Sequence, residues 1–277
     1  MNRTTRIAMA VASVVGLAAF GTVAGSSASG QDAIPSADSA TSAASGSAPR
    51  AIITDKVEDV YVPVTPCRIV DGREALGVIP AGGNRSYEVR DTSGFVPQGG
   101  KSGGCGIPKS ANAVTFTVTV VSPAGGGFLR AWPQGKSEPN ATLMNFVGGQ
   151  SQTTTAPLAL GAASEAKDLR VKSYASAAML VIDVQGYYAP QIQASIDAAG
   201  AVEDGTARVL SSTRTSTGNY QVTIDRSVTG CVVSSQPNGS GTFIVNGSAS
   251  GNKVFASAYN TSTGALTNMF WQLTVTC

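Results

Sequence analysis

Arg68, Asp71 and Arg73 form the densest polar cluster of the chain, and a fourth charged residue, Asp183, sits inside an otherwise apolar stretch. A guanidinium fork can grip a carboxylate or phosphate through two parallel hydrogen bonds. Glycoside hydrolysis would need two carboxylates facing one bond, and nothing in the sequence places Asp71 and Asp183 close together. The structural alternative is an Arg–Asp pair that fixes the loop beside Cys67. A carboxylate on an apolar strand is costly unless paired, and Arg68 and Arg73 are the candidate partners of Asp183. Trp132, Tyr187 and Tyr188 could stack on sugar rings, an apolar face with a polar tip being suited to that task. Strand alternation turns at least one of the two adjacent tyrosines outward; the other reading is a core Trp and one surface Tyr. The chain contains no histidine, which excludes His-based triads, His–metal sites and His general bases. No EF-hand, P-loop, G-x-S-x-G or dinucleotide-binding pattern is present, so no cofactor and no metal site is expected.

The elements that must position these residues read as strands. The 277 residues are 13% charged and 6% aromatic, with 32 Gly and 13 Pro, a composition that favours short strands and many turns. Residues 1–28 form a signal peptide: Arg3 and Arg6, then an apolar run from Ile7 to Ala24, then small residues. Residues 29–56 are rich in Ser and Ala and read as a flexible linker. Val114, Phe116, Val118 and Val120 alternate with Thr115, Thr117 and Thr119, the pattern of a half-buried strand. The Pro123–Gly127 turn and the Phe128–Trp132 strand complete an expected hairpin. A first domain over 57–189, a linker or short helix over 190–204 and a second domain over 205–277 follow from the composition shifts. In the second, Tyr220, Val222 and Ile224 alternate, as do Trp271, Leu273 and Val275; from Ser227 to Cys277 the single charge is Lys253. The fold class is therefore all-β, with two β-sandwich-like domains in tandem.

Four cysteines, Cys67, Cys105, Cys231 and Cys277, imply disulfides in an exported chain. Three pairings are open. The local one, Cys67–Cys105 with Cys231–Cys277, keeps each bridge in one domain. No C-x-x-C spacing supports a zinc site. The precursor carries 19 basic and 17 acidic residues. Loss of Arg3 and Arg6 with the leader makes the counts equal, so neither nucleic acid nor a membrane is an expected partner.

Tyr61-Val-Pro-Val-Thr-Pro-Cys-Arg68, Asp71-Gly-Arg73, Gly104-Cys-Gly-Ile-Pro108, Ala113–Thr119, Pro139–Phe146 and Ile182-Asp-Val-Gln-Gly-Tyr-Tyr188 follow one another in order over residues 59–189. In this they resemble a module common in exported actinobacterial surface proteins. Gly72 and Thr117 depart from its usual Thr and Asn. The second domain resembles small β modules of similar proteins and of phage tail-fibre tips, through Gly218–Arg226, Val228–Cys231 and Phe270–Cys277. These resemblances imply a secreted or cell-surface accessory module. The leading expectation is a non-catalytic binding or adhesion module for cell-wall or other polysaccharide. The alternative is a surface-assembly protein that oligomerises through its second domain, and an enzyme such as a glycoside hydrolase ranks third.

Overall fold

The computed structural model describes residues 51–52 and 58–277. The leader, and the linker apart from Ala51–Ile52, lie outside the described residues. The described strands in chain order are β1 (Ala51–Ile52), β2 (Asp59–Asp71), β3 (Asn84–Tyr87), β4 (Ala113–Val120), β5 (Gly127–Pro133), β6 (Met144–Phe146), β7 (Gln152–Ala159), β8 (Leu169–Tyr174) and β9 (Leu180–Pro190). They continue as β10 (Ile192–Ile196), β11 (Val202–Gly205), β12 (Val209–Ser216), β13 (Asn219–Ile224), β14 (Val232–Pro237), β15 (Phe243–Ser250), β16 (Lys253–Asn260) and β17 (Trp271–Thr276). The helical content of the described residues is one 3-10 turn, Val96–Gln98. The protein is all-β.

The strands form four sheets, ordered β2-β9-β4-β7, β3-β8-β5-β6, β1-β11-β10-β17-β14 and β12-β13-β16-β15. Pairing is antiparallel except between β1 and β11. The first two sheets share one core: Val114, Phe116, Val118 and Val120 of β4 meet Leu129 of β5 and Leu169 and Val171 of β8. The last two share another, where Ile192, Ile196, Trp271 and Leu273 face Tyr220, Val222, Val254 and Ala256. Each strand buries every second residue, because side chains on a pleated strand alternate between faces. The local disulfide pairing is the one formed, Cys67–Cys105 and Cys231–Cys277.

Two expectations need correction. Strands β4 and β5 are not a hairpin. β4 pairs with β9 and β7, whereas β5 pairs with β8 and β6, so the Pro123–Gly127 turn carries the chain from one sheet to the other. Residues 190–204 are not a linker or a helix either. They supply β10 and β11 to the five-stranded sheet, with Ile192, Ala194 and Ile196 buried. Their period of two is a strand pattern that the Ala-rich composition obscures.

The long connection between β3 and β4 has little regular structure of its own and is tied down by side chains. Arg90 and Asp168, both about 6% exposed, form a buried ion pair. The Asp168 carboxylate also accepts the Val89 and Arg90 backbone N–H groups at 2.7 and 2.8 Å. The same guanidinium donates to Ala111 O and Gly161 O, at 3.2 and 2.8 Å. Buried Gln98 donates to Ile69 O and Glu88 O, both at 2.8 Å. Gly99 has φ 75°, and a Cβ there would lie 2.3 Å from Asp71 O, so only glycine allows this close approach to β2. A second buried pair, Arg208–Asp225, links the two cores: Ser110 Oγ donates to Asp225 and Arg208 Nη1 to Pro190 O.

Candidate functional site

The charged residues singled out in the sequence come together as one closed network. Arg68 Nε and Nη2 donate to the Asp183 carboxylate at 3.0 and 3.3 Å, and Arg68 Nη1 donates to Asp71 Oδ2 at 2.9 Å. Arg73 Nε and Nη2 grip the same Asp71 from the other side, at 2.8 and 2.6 Å. Register explains the meeting, because Arg68 stands directly opposite Asp183 on β9. Hydrogen bonding from Arg73, aided by Arg68, holds the Asp71 carboxyl down at about 2, and the Asp183 hydrogen bond leads in raising the Arg68 pKa. Two cations meet two anions with every carboxylate engaged. That arrangement ties β2 to β9, and the depressed Asp71 is the opposite of the raised carboxyl that a general acid requires.

The aromatic residues do not form one platform. Tyr187 is buried in the first core. Trp132 is 6% exposed, although alternation points it away from that core, opposite Arg170. Neither offers a free ring face, so the expectation that they stack on a ligand is corrected. Tyr188 is half-buried on the outer face and packs against Tyr61, with ring centroids 5.2 Å apart. Tyr61, 46% exposed, is a partner that sequence reading missed. It stands opposite Tyr188 in the β2–β9 register, a pairing that neither strand's sequence shows.

A concavity that could hold a ligand lies elsewhere. A groove of about 750 Å³ runs over the five-stranded sheet and reaches β15. Its floor carries Gln193, Ser195, Gln272, Thr274 and Gln236, with Asn246 contributed by β15. Asp204 is the one charged residue of the lining, and no aromatic residue takes part in it. Pairing builds the floor in rows: Asp204, Ser195, Gln272 and Gln236 stand side by side across four strands, as do Gln193, Thr274 and Ser234 across three. Gln236 Nε2 donates to Gln272 Oε1 at 3.1 Å. Each amide still has unused donor or acceptor capacity, because one amide group offers two N–H bonds and two lone pairs. The alternation of polar and apolar residues along β17 was legible, but nothing in the sequence marked the faces of β10 and β17 as parts of one groove.

No group of three or more His, Cys, Asp or Glu able to hold a metal ion occurs among the described residues. Comparison of the chain with family models, with curated proteins and with solved structures finds no match.

Proposed function

We propose that this chain is a secreted, non-catalytic binding module whose groove on the five-stranded sheet holds a polysaccharide of the cell wall or another extracellular source. The observation that carries this reading is the lining: side-chain amides and hydroxyls in rows, with a single carboxylate. Such groups match the paired donor and acceptor of vicinal sugar hydroxyls. Recognition here rests on hydrogen bonds rather than ring stacking, since the groove has no aromatic wall. A groove of this volume lies within the usual range for small-ligand sites. The signal-peptide pattern of residues 1–28 and the two disulfides support an extracellular setting.

The test is co-sedimentation of the oxidised protein with cell wall and a panel of insoluble polysaccharides, competed by soluble fragments. Replacing Gln193 and Gln272 together by Ala should weaken retention about tenfold or more with little change in thermal midpoint. Undiminished retention by a folded double variant would overturn the groove as the site.

A second reading, assembly through the C-terminal sandwich, is favoured by its exposed apolar residues Ile244, Phe255 and Phe270 on a nearly uncharged surface. Light scattering at high micromolar concentration decides it, a monomer arguing for binding alone.

A further inference from the structure

Strands β5 and β8 carry a second surface, on the outer face of the other sandwich. Three cross-strand pairs point away from the core: Trp132 opposite Arg170, Arg130 opposite Lys172, and Phe128 opposite Tyr174. Cations and rings are therefore interleaved on one strip. The Phe128 and Tyr174 rings stack at 4.5 Å with an interplanar angle of 5°. The Arg130 guanidinium lies 5.7 and 5.1 Å from their centroids, and Lys172 Nζ lies 4.5 Å from that of Tyr174. Such contacts hold long cationic side chains in place.

Charge on this strip is not balanced. Glu138, from the loop after β5, is the carboxylate that reaches it, accepting from Arg130 Nη1 at 3.1 Å, Lys172 Nζ at 3.0 Å and the Tyr174 hydroxyl. These donors hold the Glu138 carboxyl below its usual range, the Tyr174 hydrogen bond contributing most. The Arg170 side chain makes no hydrogen bond or ion pair with the described residues, and its Nε is buried without a partner, as is that of Arg130. Three cations thus face one carboxylate.

We propose that this strip binds a carboxylate-bearing polysaccharide, a chain of uronic-acid type, with Arg170 taking one carboxylate. Glu138 shows in cis which group the cradle accepts: a planar carboxylate held by a guanidinium, an ammonium and a phenol. One pair further along the strands, at a spacing of about 7 Å between like-facing residues, Arg170 offers its fork to the next carboxylate of a linear polymer. This surface lies on a different sheet from the groove and does not depend on it.

Titration of the oxidised protein with polygalacturonate at low salt, beside dextran and inorganic polyphosphate, tests the proposal. Polygalacturonate should bind, more weakly as salt rises, and in preference to both controls. Arg170→Ala should weaken that binding about tenfold. Arg170→Gln, which keeps the packing of the stem, should weaken it similarly with an unchanged melting point. The Gln193→Ala, Gln272→Ala double variant should bind polygalacturonate as the parent does, which separates this surface from the groove. Equal affinity of the parent and both Arg170 variants, no binding at low salt, or equal binding of polyphosphate would each overturn it.

Discussion

Asp71 illustrates how one buried carboxylate can be fully committed to structure. Its side chain is 4% exposed, and two arginines and the Arg73 backbone N–H satisfy both of its oxygens. Its carboxyl falls from an ordinary 3.8 to about 2. A group with a depressed folded-state pKa stabilises the fold above its unfolded pKa and loses that contribution as pH falls through the folded value. The stabilisation should therefore be complete above about pH 4 and gone near pH 2. Arg68 and Arg73 are 41% and 50% exposed, so solvent screening reduces the worth of the pairs to about 1 kcal/mol at neutral pH. Asp71→Asn should lower stability by that amount at pH 7 and by almost nothing at pH 2, read by urea unfolding at both values. Trp132 carries the opposite lesson. An apolar ring face with a polar tip suggested a sugar-stacking residue, yet the ring is buried.

The long connection from β3 to β4 depends on a few buried polar anchors rather than on secondary structure. Arg90 and Asp168 hold both of its ends, and their charges are matched by each other and by backbone groups. Removing one partner of a buried pair leaves an uncompensated charge and costs about 3–5 kcal/mol. Asp168→Ala should lose that much in denaturant unfolding and should open the 88–112 segment to proteolysis. A loss under about 1 kcal/mol would mean that the segment holds itself. The inner alternation of β4 was legible because Val and Phe sit at strict period two. Its partners were not, because a strand's own sequence does not encode which edge it joins. Proximity in the chain suggested a β4–β5 hairpin, and the turn instead changes sheets.

At the scale of the molecule, each core is closed by one covalent staple. Cys67–Cys105 ties the long connection to β2, and Cys231–Cys277 ties the start of β14 to the end of β17. Sequence separations of 38 and 46 residues give about 4 kcal/mol each in the chain-entropy view. Reduction should lower the thermal midpoint markedly, and Cys231→Ser with Cys277→Ser should reproduce the part that belongs to the second core. An unchanged midpoint in reductant would show that the sandwiches stand by packing alone. The buried Arg208–Asp225 pair and its bond from Ser110 join the two cores.

The sequence by itself determined the all-β class and the inward faces of β4, β13 and β17, and it offered an arginine as one candidate partner of Asp183. These follow from local rules: period-two alternation, and the cost of an unpaired charge on an apolar strand. Local disulfide pairing was one of three open choices. Tertiary structure alone decided that residues 190–204 become strands, that Trp132 is covered, and that nine polar side chains from five strands line one groove. It also set Arg130, Arg170 and Lys172 on one strip. Each of these depends on which strands lie side by side, and that is a property of the packed sheets rather than of any one segment.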